Sequence, residues 1–374
     1  MIDYSVVPSP CYVLEEKRLV RNLEILNRVQ REGKAKVICA LKGFSFWNVF
    51  PLVAEYLNGA TASSLNETLL AKEMGREVHV CAPAYRANEI EQILSCASHI
   101  TFNSFSQWNL FKKETLKKGI SPGIRINPEF STVEVDLYNP AGRYSRLGVT
   151  KAEFKPEFLE GIEGLHFHAL CEQNADALEA VLEKIEANFG EWISKMKWMN
   201  FGGGHHITRA DYDVEKLISI LNNFHKKYPG IEIILEPGEA VGWQTGELVS
   251  SVLDIVHNEI DIAILDISVS AHMPDCLEMP YRPMVMGSDL PSVKAHTYRL
   301  AGNSCLAGDI AGDYSFDEPL HPGSKIIFMD MIHYTMVKTT FFNGVKHPSI
   351  GVWKADGFHL LKEFDYEQFR GKLS

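Results

Sequence analysis

Four signals in this sequence could do chemistry if they met. Lys42 follows an apolar run, in Ala40-Leu41-Lys42-Gly43. A lysine amine held partly out of water loses basicity and becomes a nucleophile able to form a Schiff base. A lone lysine after a strand is ordinarily a solvated surface group, so its company decides the reading. Gly202-Gly203-Gly204 precedes a stretch of helical spacing over residues 210–224. Such a run alone is usually a turn, but before a helix its N–H groups can cradle a phosphate. Glu236, in Glu236-Pro237-Gly238, offers a carboxylate that could keep a pyridine nitrogen protonated. His168 offers a flat ring for stacking. An amine, a phosphate cup, a ring partner and an acid for the ring nitrogen are the set that pyridoxal phosphate requires.

The elements that must position them follow from the patterning. Strand-like runs occur at Lys36–Leu41, Gly59–Ala62, Val78–Ala82, Ser98–Phe102, Gly123–Asn127, Gly164–His168, Trp198–Phe201 and Ile231–Glu236. Stretches of helical spacing lie between them, such as Leu19, Leu23, Leu26 and Val29. Alternation of this kind implies parallel pairing, and eight units close a (β/α)8 TIM barrel. An open doubly wound sheet is the alternative, but no GxGxxG follows the first strand. In a barrel, active sites collect at the C-terminal strand ends. Lys42, His168, the glycine triplet and Glu236 all fall there.

From about residue 246 the runs are β-like and separated by turn clusters, which predicts an antiparallel β-domain. The expected division is a barrel over residues 14–245 and a β-domain over 246–374, with residues 1–13 joining the latter.

His166 and His168 share one side of a strand, and with His205 and His206 they could be read as metal ligands. In barrel hydrolases such a pair opens the first strand, whereas here it lies on the sixth, so no metal is expected.

The net charge of −11 argues against nucleic acid and is compatible with a cationic ligand. Seven scattered cysteines without a CxxC pair read as reduced thiols. The N-terminal MIDYSVVPSPCYVLEEKR shows no charged stretch followed by an apolar core. No apolar run approaches the roughly 20 residues of a membrane span. A cytoplasmic protein without membrane partners is expected.

Lys42 in ALKG, His168 in HFHAL, the glycines at 202–204 and EPG at 236–238 resemble the fold-type III pyridoxal-phosphate decarboxylases. That group includes ornithine and diaminopimelate decarboxylases and shares its fold with alanine racemase. Cys305 in GNSCLAGD and Tyr334 in HYTMVKTTFFNG resemble two further motifs of the group. ALKGFS from Ala40, GGGHHIT from Gly202, EPGEA from Glu236 and SAHMPDCLEMPYRP from Ser270 resemble its carboxynorspermidine/carboxyspermidine decarboxylase branch.

The resemblance implies roles. Lys42 would carry the cofactor, His168 would stack on it and Glu236 would pair with its ring nitrogen. Gly203, Gly204 and Tyr334 would hold the phosphate. Cys305, supplied by the partner of a homodimer with shared sites, would protonate Cα after carbon dioxide leaves. Asp309, from that same subunit, would contact a substrate amine. The implied products are norspermidine and spermidine.

Two positions depart from the wider group. Where its members read EPGR, this chain has Glu239, which exchanges a phosphate partner for a carboxylate that attracts an ammonium. Where they carry an acid after the cysteine, this chain has Leu306. Substrate recognition is therefore expected of Glu239, Asp275 and Asp309, although Asp275 also reads as a turn residue after Pro274. Arg125 and Arg146 read equally as cofactor or substrate partners and as surface. The rival readings are another decarboxylase or racemase of this fold, a non-catalytic pyridoxal-phosphate protein and a metal-dependent barrel hydrolase. A racemase pairs the ring nitrogen with arginine, and Glu236 counts against it.

Overall fold

The computed structural model describes residues 2–374. The chain forms two compact units. One comprises residues 22–241, and the other the residues up to Arg21 together with Gly242–Ser374.

Strand β1 (Cys11–Glu15) is followed by helix α1 (Glu16–Gly33). The spacing of Leu19, Leu23, Leu26 and Val29 makes one continuous apolar stripe, and all four are fully buried.

The barrel consists of β2 (Ala35–Ala40), β3 (Gly59–Ala62), β4 (Glu77–Cys81) and β5 (His99–Phe102), then β6 (Ser121–Arg125), β7 (Gly164–His166), β8 (Trp198–Asn200) and β9 (Glu232–Leu235). All neighbours are parallel, and β2 pairs with both β3 and β9, which closes the ring. The covering helices are α2 (Phe50–Tyr56), α3 (Leu65–Glu73), α4 (Ile90–Leu94), α5 (Phe105–Lys117), α6 (Ala175–Ile193) and α7 (Val214–Lys227). Ser64, Ser104 and Asp213 start α3, α5 and α7 by accepting the N–H of Glu67, Gln107 and Lys216. Each satisfies a donor that the first helical turn leaves open. No α-helix joins β6 to β7. Residues 126–163 contain only the 3₁₀ turns Asp136–Tyr138 and Pro156–Phe158, because Pro128, Pro140 and Pro156 break any helical run.

The N-terminal ends of the strands are plugged. Trp198, the first residue of β8, lies across Gly123 and Gly164. A Cβ on either glycine would fall 2.2 Å or 2.0 Å from the indole. Its Nε1 donates to Ser121 Oγ at 2.9 Å. Beside it Lys36 bridges Glu77 at 2.6 Å and Glu232 at 3.1 Å. The barrel is thus filled at this end, and its chemistry belongs at the other.

The second unit is built on a mixed sheet. After β10 (Gly246–Asn258) come β11 (Ile260–Leu265), β12 (His296–Ala301), β13 (Ile310–Phe316), β14 (Lys325–Phe328), β15 (Ser349–Lys354) and β16 (Gly357–Lys362). The order is β13-β12-β11-β10-β1-β15-β16, with β14 also on β10. Pairing is antiparallel except for β1 with β15 and β11 with β12. β1 therefore lies inside this sheet. Its residues Cys11, Val13 and Leu14 are fully buried, as an interior strand requires.

Candidate active site

Inside the barrel one cleft is lined by Ala40, Lys42, Thr61, Ser63, Cys81, Arg125, His166, His168, Gly203 and Glu236. Its empty volume, counted with the space open to solvent, is about 400 Å³. Lys42, His168, Gly203 and Glu236, picked from the sequence, therefore meet at one place.

Lys42 reaches into the cleft, where solvent meets it but protein crowds it. That desolvation and the positive charge of Arg125 lower its pKa, while Glu236 opposes the shift. A less basic amine has a larger neutral fraction and is the better nucleophile. Burial pushes the neighbouring Cys81 thiol up to about 11. It stays protonated and does not compete.

Glu236 is 9% exposed. Burial alone would raise its pKa. His166, through a hydrogen bond and its charge, and Asn200 outweigh that and hold it at about 2. Asn200 Nδ2 donates to Oε1 at 2.8 Å, and His166 Nε2 lies 3.3 Å from Oε2. A carboxylate only accepts, so the proton of His166 sits on Nε2. Burial also lowers the pKa of His166 itself against the pull of Glu236. Sequence reasoning missed Asn200 and placed His166 only among possible metal ligands. A lone amide in an otherwise apolar buried strand was the available signal.

His168 lies two residues beyond the end of β7. Its Nδ1 accepts the N–H of Gly203 at 2.9 Å, which fixes the ring and leaves its proton on Nε2. Burial, then Lys42 and Arg125, hold its pKa well below the ordinary value. Arg125 Nη2 donates to the His168 carbonyl at 3.4 Å, so this arginine belongs to the cleft, whereas Arg146 does not line it.

The glycine triplet has a steric cause. A Cβ at Gly202 would lie 2.4 Å from the Phe167 oxygen and one at Gly204 2.1 Å from the Leu170 oxygen, and both residues have positive φ. The loop can pack against the end of β7 only without side chains. Its N–H groups are not equivalent. That of Gly202 goes to Asn200 Oδ1 at 2.8 Å and that of Gly203 to His168. Only Gly204 has no hydrogen-bonded N–H partner among the described residues. The phosphate cup expected of Gly203 and Gly204 therefore narrows to Gly204 for N–H donation.

Glu239 does not line this cleft. Its carboxylate lies 3.3 Å from His206 Nε2, and Glu172 completes a cluster whose ligand atoms lie within 4.8 Å of one another. The four histidines considered as metal ligands are not brought together, since His166 and His168 are committed to Glu236 and Gly203. A second cluster, Glu77, His79 and His99, lies near the N-terminal strand ends. Its two rings stack at 4.0 Å and 7°, so their in-plane lone pairs cannot converge on one ion.

The remaining candidates lie in the sheet unit. Cys305 is exposed, and its N–H donates to Asn343 Oδ1 at 2.7 Å. Tyr334 opens a short helix, with Lys338 Nζ 5.7 Å from its ring centroid. Asp275 is buried and paired with Lys338 at 2.6 Å, which Glu278 shares at 2.9 Å. Asp309 is 2% exposed. Its carboxylate accepts from Ser268 Oγ, the Ser270 N–H, the Ser304 N–H and Ser304 Oγ. These bonds make it the organiser of its own loop.

These residues fit pyridoxal phosphate. The cleft gathers a lysine amine, an imidazole and a hydrogen-bonded anionic carboxylate, and the N–H of Gly204 has no acceptor among the described residues. The family model of the pyridoxal-dependent decarboxylases, C-terminal sheet domain, matches residues 11–332. A carboxynorspermidine/carboxyspermidine decarboxylase of Campylobacter jejuni is 48% identical over 98% of both chains. A carboxyaminopropylagmatine decarboxylase of Synechocystis is 49% identical over 99% of this chain and 96% of its own. The crystal structure of carboxynorspermidine decarboxylase from Campylobacter jejuni, complexed with norspermidine, superposes with a TM-score of 0.92. It is 47% identical and covers 98% of this chain and 100% of that one. On this match in sequence, fold and donor set, the chain belongs to the pyridoxal-dependent decarboxylases.

Proposed function

We propose that this enzyme decarboxylates carboxynorspermidine and carboxyspermidine to norspermidine and spermidine. The observation that carries the reading is the pairing of a low-pKa Lys42 with an ionised, doubly hydrogen-bonded Glu236 in one cleft. The near-full-length likeness to an enzyme of that name supports the substrate class.

Pyridoxal phosphate, when bound, supplies an electron sink for the pair left behind by departing carbon dioxide. Lys42 would hold its aldehyde carbon, and Glu236 would keep a proton on its ring nitrogen. His168 would lie against its ring, fixed in orientation by the Gly203 N–H. The N–H of Gly204 and the hydroxyl of Tyr334 would hold its phosphate. Cys305 would give its thiol proton to Cα and recover one from solvent. In this reading two copies of the chain share their sites, Cys305 of one serving the barrel of the other, and the protein acts in the cytoplasm. No helix among the described residues is long and apolar enough to cross a membrane.

Substrate recognition falls to carboxylates at Glu239 and Asp275. Each would exchange its present cationic or imidazole partner for an ammonium of the polyamine.

The 49% likeness to a carboxyaminopropylagmatine decarboxylase favours a second reading, a substrate ending in a guanidinium rather than an amine. Purified holoenzyme incubated separately with carboxynorspermidine, carboxyspermidine and carboxyaminopropylagmatine, followed by carbon dioxide and polyamine analysis, decides between them. A higher kcat/KM for the two amine-ended acids supports the proposal. Preference for the guanidino compound overturns it in favour of the second reading.

A further inference from the structure

The loop over residues 302–309, which connects β12 to β13, is held far more tightly than an exposed loop needs. The Gly302 N–H donates to the Asp309 carbonyl at 2.7 Å and the Asp309 N–H to the Leu306 carbonyl at 3.0 Å, closing the loop on itself. The buried Asp309 carboxylate fills the interior. Its Oδ2 accepts from the Ser304 N–H at 3.1 Å and from Ser304 Oγ at 2.6 Å. Its Oδ1 accepts from the Ser270 N–H at 2.9 Å and from Ser268 Oγ at 3.2 Å. A Cβ on Gly302 would fall 2.4 Å from this carboxylate, so only glycine admits it.

Cys305 lies outside that clamp by one residue, and its backbone is caught by a different segment. Asn343 Oδ1 accepts its N–H at 2.7 Å. Asn343 itself has φ 58° and ψ 8°, the left-handed region that asparagine tolerates better than other side chains. One residue thus turns its own chain and reaches across to the cysteine. Three segments distant in sequence, around Ser270, Cys305 and Asn343, meet at this loop.

We propose that Asn343 is a positioning residue. By holding the Cys305 N–H, with Asp309 holding the preceding residue, it fixes the direction from which the thiol proton reaches Cα. The inference rests on the reading of Cys305 as proton donor. The thiol must stand at one face of the substrate within about 3–3.5 Å. A loop free to rock by an ångström would deliver the proton slowly and from either side.

Decarboxylation of carboxynorspermidine in D₂O tests this. Cys305→Ala, Asn343→Gly and Asn343→Asp are compared with the wild-type holoenzyme for kcat, KM and the stereochemistry of deuterium at the product carbon. Glycine keeps the left-handed turn and removes the acceptor, and aspartate restores the acceptor. The wild type is expected to incorporate deuterium stereospecifically. Asn343→Gly should lose that selectivity and about 10-fold in kcat, with KM within about twofold. Asn343→Asp should recover the selectivity. If Cys305→Ala scrambles the label but Asn343→Gly does not, or if aspartate fails to rescue, the positioning role is overturned alone. If Cys305→Ala leaves stereochemistry and rate unchanged, the proton-donor reading fails, and this inference with it.

Discussion

Asn200 ties the glycine loop to Glu236. Its Nδ2 donates to Glu236 Oε1 and its Oδ1 accepts the Gly202 N–H, both at 2.8 Å. A residue that helps keep the carboxylate ionised thus also seats the glycine loop. Asn200→Leu should therefore damage two properties together. Loss of a hydrogen bond to a buried charge is worth about 1.5–3 kcal/mol, so kcat should fall roughly 10–100-fold. Cofactor affinity, measured by fluorescence titration of the apoenzyme, should fall with it. A change in only one of the two would separate the roles.

Glu236→Gln removes the anion and keeps the shape. The expected loss in kcat is about 10²–10³-fold, the size seen when one fixed electrostatic partner is removed. The same variant has a pH signature. Glu236 has a folded pKa of about 2 against an ordinary 4.5. Its contribution to stability is thus present above pH 4.5 and is lost as pH falls toward 2. Between those values Tm of the wild type should fall more steeply with acidification than Tm of Glu236→Gln. Parallel curves would show that the carboxylate is not held ionised.

Gly204→Ala places a Cβ 2.1 Å from the Leu170 oxygen at φ 83°. The loop must move, at a cost of order 1–3 kcal/mol for the backbone conformation alone. Cofactor affinity should drop more than 10-fold and Tm of the apoenzyme by a few degrees. Gly230→Ala, where a Cβ meets nothing within 4 Å but φ is 88°, is the control for conformational strain by itself.

Glu239→Gln should raise KM for carboxynorspermidine about 10-fold or more, the weight of one hydrogen bond to a charged group, with kcat changed less. Its ordinary partner is His206, so Glu239→Gln paired with His206→Gln gives a double-mutant cycle. Strict additivity of KM effects would argue that the imidazole does not orient the carboxylate.

Sites shared between two subunits, as proposed, predict complementation. Lys42→Ala should be nearly inactive and Cys305→Ala should turn over far more slowly than the wild type. Co-refolded in equal amounts, they should recover roughly a quarter of wild-type activity, because half the dimers are mixed and each of these has one intact site. No recovery would place both groups in a single subunit.

The barrel was legible because each strand is a short apolar run with turn residues at its ends, and helix starts such as Ser104 announce themselves. Residues 126–163 were not read as irregular, because the apolar content of that segment hides what its prolines forbid. β13 carries Gly312 and Asp313 in its middle, and β16 is mostly exposed, so neither shows a clean apolar period. Of the site, the residues whose type is chemically unusual were found, namely Lys42, His168 and Glu236. The polar residues that brace them, Asn200 and the donor role of His166, were not, since one strand of sequence does not reveal which neighbour it faces. The bracing role of Asp309 was hidden for the same reason. Its acidity is visible in the sequence, but the four donors that consume it come from residues 268–270 and 304.

The indole of Trp198 over Gly123 and Gly164 makes the barrel a blind-ended vessel. Everything that enters must leave by the same mouth, so carbon dioxide, product and incoming substrate pass one another among the loops at the C-terminal strand ends. New specificities can then arise by exchanging residues in those loops while the plugged end is left untouched. A larger residue at Gly164 would be felt as lost stability and leave the choice of substrate unaltered.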